Sequence, residues 1–266
     1  LAMSMLTFAS GLVSAFVSIL LRSLGASFLA IGVVASGYNL ALAVVSFSGG
    51  SLSTRFGGKI IFAVSLFFSL LATVLYGLAS LLVSWLLVAL GLLFGRMAWG
   101  LRDTSSFSIV SSSVEETKRA TAFGLLSTLY YFGAIVGPIV GGVLAYYYGM
   151  SVLFLLSIPV TATAIVVIFL KIEKGEIKTK RAFPSWSEVR EAITFEKSVL
   201  ILIALAFIGQ FFSELGNPYR FIFMREELHS PDYLSPLPQT AISLSSLMVG
   251  LPAGHFSDVF KRRKPF

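Results

Sequence analysis

Ile60-Ile61-Phe62-Ala63-Val64-Ser65-Leu66-Phe67-Phe68-Ser69-Leu70-Leu71-Ala72-Thr73-Val74-Leu75-Tyr76-Gly77-Leu78 runs for nineteen residues without a charge. About 20 such residues, wound as an α-helix, cross the roughly 30 Å hydrocarbon core of a bilayer. A helix can do so because it satisfies every backbone N–H and C=O within itself. The stretch therefore predicts a membrane-spanning helix. Working outward from it, seven further segments meet the same test, some with polar interruptions: Leu1–Leu21, Phe28–Gly50, Ser84–Val110, Ala120–Tyr147, Val152–Leu170, Ser198–Met224 and Gln239–Phe256. The expected fold class is an all-α integral membrane bundle.

Composition points the same way. Of 266 residues, 56% are hydrophobic and 12% charged, whereas soluble domains carry about a quarter charged residues. There is no Cys, which excludes disulfides and thiolate chemistry, and the two histidines, His229 and His255, are too isolated to suggest a metal centre. No resident cofactor is expected; the one small ion the reading carries is a coupled proton or cation. No paired carboxylates, Ser–His arrangement or metal-ligand set lies at membrane depth, so an enzyme is not expected. The Gly-rich stretches lack the strand–loop–helix context of a phosphate cradle.

After the sixth apolar run the composition changes sharply. Lys171 to Lys197 is polar and basic, carrying Lys174, Lys178, Lys180, Arg181 and Arg190 among Glu173, Glu176, Glu188 and Glu191. The chain thus divides into a six-helix unit at 1–170, a basic linker at 171–197, and the first two helices of a second unit at 198–266. Charge placement orients it. Arg55, Lys59, Lys118, Arg119, the linker and Lys261 to Lys264 fall on one side, and little beyond Arg22, Arg220 and Arg225 on the other. The positive-inside rule puts the first set, including the linker and residues 261–266, in the cytoplasm. The net charge of +7 is then topology rather than a nucleic-acid footprint. The expected partners are membrane lipid and a small-molecule solute, the oligomeric state is left open, and a multi-pass place in the plasma membrane is expected.

A short pattern occurs twice. Gly50-Ser51-Leu52-Ser53-Thr54-Arg55-Phe56-Gly57-Gly58-Lys59 follows the second span, and Gly254-His255-Phe256-Ser257-Asp258-Val259-Phe260-Lys261-Arg262-Arg263 follows the eighth. Parallel six-helix halves are an established transporter plan, and the repeat fits it. The first copy resembles the loop between helices two and three of the major facilitator superfamily: Gly, three residues, Asp, Arg, one residue, Gly, then two basic positions. Gly50, Arg55, Gly57 and Lys59 match, while Thr54 stands where the family has Asp and Gly58 where it has a basic residue. The second copy keeps Gly254, Asp258, Arg262 and Arg263. In the family this loop latches the halves together.

The fifth span carries Gly133-Ala134-Ile135-Val136-Gly137-Pro138-Ile139-Val140-Gly141-Gly142. Gly133, Gly137 and Gly141 fall on one helical stripe where a neighbouring backbone can approach closely. Together with Pro138 and Gly142 they resemble the signature of the superfamily's drug and proton antiporters. The fourth span holds Arg96 beside Arg102 and Asp103. A charge at membrane depth costs about 2.5–3.5 kcal/mol unless paired or wetted, so Arg96 is expected to face a cavity. Arg102 and Asp103 either pair locally or mark the end of the helix. Other polar groups within spans are Ser10, Ser14 and Ser18 on one face of the first, Tyr38 and Asn39 in the second, and Gln210, Glu214, Asn217 and Arg220 in the seventh. Glu214 is the candidate proton carrier, and Arg96, Arg102, Asp103, Tyr38, Asn39 and Glu214 make up the expected solute or ion pathway.

The resemblance implies a secondary active transporter working by alternating access, with export of a drug-like or amphipathic compound favoured and proton coupling as an addition. Import of a sugar or other metabolite by the same machinery is the alternative. Because two six-helix halves make the family's whole, the eight helices are expected to be a truncated form. That form is either a fragment of a complete transporter or a non-transporting membrane protein.

Overall fold

A run of Leu, Ile, Val, Phe and Ala with few caps can only bury its backbone polarity by coiling, and the computed structural model is helical accordingly. It describes residues 2–115, 119–171 and 197–260, with α-helices and no strand among them. Linker residues 172–196 and the basic residues Arg262 and Arg263 lie outside the described residues, as does the side chain of Asp258.

The helices are α1 (Ala2–Ser14), α2 (Val17–Ser23), α3 (Phe28–Phe56), α4 (Gly58–Leu82), α5 (Trp85–Ser113), α6 (Arg119–Tyr148), α7 (Met150–Lys171), α8 (Lys197–Gly216), α9 (Arg220–Glu226) and α10 (Leu237–Phe260). Six described stretches are long and apolar enough to cross a membrane, the first formed by α1 and α2 together and the others by α3 to α7. The all-α membrane bundle expected from the sequence is thus what forms.

Two expected spans are broken. In the first, Thr7, Ser10 and Ser14 each donate their hydroxyls to the carbonyl three residues back, and the helix gives way at Ala15 and Phe16. Such back-bonding competes with the helical ladder and bends it. The seventh span, read from sequence as Ser198–Met224, stops at Gly216 and resumes at Arg220. Pro218 accounts for that break: it has no N–H and disfavours helical geometry in the residue before it. Asn217 and Glu214 sit beside the break, which is where polar side chains gain access to a cavity.

The Gly50–Lys59 pattern is also more helical than a loop. Gly50 and Arg55 belong to α3 and Lys59 to α4, leaving Gly57 alone between the two helices. Its φ of 92° lies in the left-handed region, which a residue without Cβ adopts freely. Gly254 and Asp258 of the second copy fall within α10.

Packing is tightest between α4 and α5, α1 and α6, and α3 and α5, with α10 seated against α6. Phe16, Leu21, Leu153 and Phe154 are fully buried at the centre. Around the outside Leu29, Leu40, Phe47, Val83 and Leu170 are largely exposed, a surface suited to lipid chains rather than water. Thr7 and the stripe of Gly133, Gly137 and Gly141 show why α1 and α6 approach so closely. A Cβ added at Gly137 would come within 2.6 Å of the Phe8 carbonyl oxygen, and one at Gly133 or Gly141 would overlap Thr7 or Leu12. Gly142 on the next face meets Pro236, just ahead of α10. Pro138 is buried within α6 and lies against Gly11 of α1.

Candidate functional site

The helices leave a cavity of about 430 Å3 among α1, α2, α3, α4, α5, α6 and the break between α8 and α9. Ser10, Ser14 and Ser18 line one wall, so the hydroxyl stripe read from the first span faces the cavity. Apolar residues such as Leu6, Val13, Leu92 and Phe221 complete it, with Trp99 and Pro138 beside them.

Arg96 lines this cavity from α5, eleven residues in from Trp85 and so about 16 Å along the helix. Its guanidinium stands over the Tyr38 ring, with Cζ 4.7 Å from the ring centroid, and Nη2 lies 3.9 Å from Glu214 Oε2. Arg96 and Glu214 keep 27% and 22% of their side-chain exposure, so the pair is half-buried rather than sealed. Glu214 is further held by three amides. Asn39 Nδ2 donates to Oε2 at 3.0 Å, Gln210 Nε2 to Oε1 at 3.1 Å and Asn217 Nδ2 to Oε1 at 3.5 Å. Four of the residues read from sequence as pathway candidates, Tyr38, Asn39, Arg96 and Glu214, therefore converge, although 118 residues separate Arg96 from Glu214. Glu214 stands two residues before α8 ends at Gly216, just ahead of the break at Pro218.

Arg102 also lines the cavity and is only 6% exposed. Asp103 departs from the expected pathway: it is exposed and does not line the cavity. Successive residues on a helix point about 100° apart, so Arg102 and its neighbour cannot share a face. The two form no ion pair within 4.0 Å, although each remains a nearby opposite charge for the other.

Three lining residues carried no sequence signal of their own. Tyr76 of α4 packs against Gly91 and Gly95 of α5, where a Cβ at Gly91 would meet its ring. The small residues four apart in the fourth span were the available clue. Tyr130 of α6 reaches the cavity near Arg102, and Gln239 of α10 accepts from Arg220 Nη2 at 3.0 Å.

Further contacts join α8–α10 to the first seven helices at the Arg22 end of the bundle. Arg22 Nε meets Glu226 Oε1 at 3.1 Å, Tyr219 donates its hydroxyl to the Phe28 carbonyl at 3.0 Å, and the Tyr146 and Tyr233 rings meet edge to face with centroids 5.2 Å apart. Toward the Arg55 end, no other described helix packs extensively along α8, and Ile201, Leu205, Phe207 and Phe211 are exposed. Arg55 itself is exposed, its Cζ 5.3 Å from the ring centroid of Phe56, and nothing lies close to Gly50.

The site is thus a cavity between packed helices of membrane-spanning length, lined by arginines and hydroxyls among apolar residues. The family model of the Major Facilitator Superfamily matches residues 1–266, and the chain belongs to that family, whose members are transporters and not enzymes. Among similar proteins, the methylenomycin A resistance protein of Bacillus subtilis is 34% identical over 134 residues, which are 50% of this chain and 28% of that one. A multi-drug resistance efflux pump PmrA homolog of Lactococcus lactis is 26% identical over 180 residues, 66% of this chain and 44% of its own. The multidrug resistance protein MdtG of Yersinia enterocolitica is 25% identical over 213 residues, 79% of this chain and 50% of its own. The chain thus spans half or less of the length of these relatives.

Proposed function

We propose that this chain supplies the first half, and the start of the second, of a plasma-membrane exporter for amphipathic small molecules. In this reading residues 1–170 are one rocking unit, 171–197 the cytoplasmic linker, and 198–266 the beginning of the other unit. The observation that carries it is the Arg96–Glu214 bridge. In this reading it joins the two units, beside a cavity with polar and apolar walls. The relatives named for drug or antibiotic resistance support export over metabolite import.

With the Arg55 end placed in the cytoplasm by its basic residues, the contacts at the Arg22 end close the cavity to the outside. An exporter loads from the cytoplasm, so in this reading the Arg22 end is the one that must be closed while solute enters. Alternating access then requires the Arg22-end contacts to part and the Arg55 end to close. Glu214 is suited to couple this to a proton. Its carboxylate holds Arg96 and the Asn39 amide of the first unit and two amides of its own unit, and protonation would remove the charge that holds Arg96.

The test is accumulation of cationic, neutral and anionic amphipathic dyes in everted membrane vesicles containing the full-length transporter. Arg96→Ala is expected to cut accumulation of every transported dye by about thirtyfold or more while the protein still inserts. Wild-type accumulation by that variant would refute a central role for Arg96.

A further inference from the structure

The transported class can be narrowed from the charges around the cavity. Three arginines line it, Arg96, Arg102 and Arg220, and among the described lining residues there is no Asp or Glu. Glu214 sits behind Arg96 and is occupied by that guanidinium and three amides. Arg102 is buried and, among the described residues, has no carboxylate within 4.0 Å. Arg220 makes one side-chain bond, to Gln239, and its Nε is buried without a partner. A guanidinium presents five N–H donors in a planar fork and stays charged under all ordinary conditions. Asp103 and Glu214 act on Arg102 and Arg220 only from beyond 4.0 Å, and guanidinium groups matched so loosely are expensive at membrane depth unless wetted or bound by a ligand.

We propose that the cavity takes an amphipathic organic anion, its carboxylate or equivalent acid group bound by Arg102 and its apolar body against Trp99, Leu92 and Val13. The proposal rests on the export reading above and specifies its substrate. Tyr130, beside Arg102, adds a hydroxyl that can donate to the same acid group. A cationic solute would have to approach against this positive field. An anion entering from the cytoplasm is drawn to the cavity by the same field.

The experiment compares two probes that share a ring system and differ in charge, tritiated 1-naphthaleneacetate and 1-naphthaleneethylammonium. Their equilibrium binding is measured on the full-length transporter in nanodiscs, and their accumulation in everted vesicles. The anion is expected to bind at least about tenfold more tightly than the cation, the scale of one charge-assisted fork. Arg102→Gln is expected to remove that preference, and Arg102→Lys, which keeps the charge, to retain most of it. Equal or tighter binding of the cation overturns the assignment, as does an Arg102→Gln variant whose anion affinity stays within about twofold of wild type. The wild-type comparison decides the matter even where Arg102→Gln fails to insert. Vesicles that accumulate the ammonium and not the carboxylate sink the anion assignment and leave export standing. Vesicles that accumulate neither probe, with no binding of either, sink both.

Discussion

Arg96 and Arg102 stand six residues apart on α5, about 9 Å along the axis, and line the same cavity. Their surroundings differ. Arg96 has a carboxylate from the far unit, an aromatic face beneath it, and amides that fix its partner in place. Arg102 is more deeply buried and has no carboxylate within 4.0 Å among the described residues, Asp103 acting on it only from farther off. The first charge is matched inside the protein by a carboxylate of α8; the second is the one that, in the anion proposal, its solute matches. A bridge must be matched in one conformation and breakable in another, while a binding site must stay unmatched until its solute arrives.

The largest effect is expected where the matched charge is stripped of its partner. Glu214→Ala leaves Arg96 half-buried and alone, and breaking such a pair costs about 2 kcal/mol or more. Solute accumulation in everted vesicles should fall by about thirtyfold or more. A milder loss is expected from Asn39→Ala, which removes one of the three amides holding Glu214. The cost is about 1 kcal/mol, a several-fold fall in accumulation with no change in preference between anion and cation. A shift in that preference would show that Glu214 and its amides read the solute directly, and the contrast between the two arginines would fail. The smallest effect is expected from Arg22→Ala. The Arg22–Glu226 pair also joins the two units, but it is exposed, and such pairs contribute about 0.2–1 kcal/mol. Accumulation should change by less than about fivefold, a margin that vesicle assays resolve.

Much of this was legible before any coordinates. Apolar runs of fixed length give the spans because lipid imposes that length, and a glycine stripe with a proline gives a close helix contact because both act locally. Arg96 and Glu214 stood out because charge is rare in such surroundings. Their meeting was not legible, since it depends on where Pro218 breaks the seventh span and on how α5 is turned. Nor was the fate of Arg102 and Asp103. Adjacent in sequence, they invited local pairing, but helical geometry sends one into the cavity and the other away from it. The break in the first span was missed for a similar reason. Its serines were read as a polar face, and their hydroxyl bonds to the preceding turn, which bend the helix, become visible only with the backbone in place. Tyr76 looks like any buried aromatic until the glycines of α5 are seen beneath its ring.

The most direct test of the account is a double-mutant cycle on Arg96→Ala and Glu214→Ala, read as accumulation by everted vesicles at equal protein levels. If the two side chains act as one bridge, each single change should cost nearly as much as both together, and the double variant should lose little more than either alone. Losses that multiply in the double variant would mean that Arg96 and Glu214 work independently, and would contradict the claim that this pair carries the coupling between the two units.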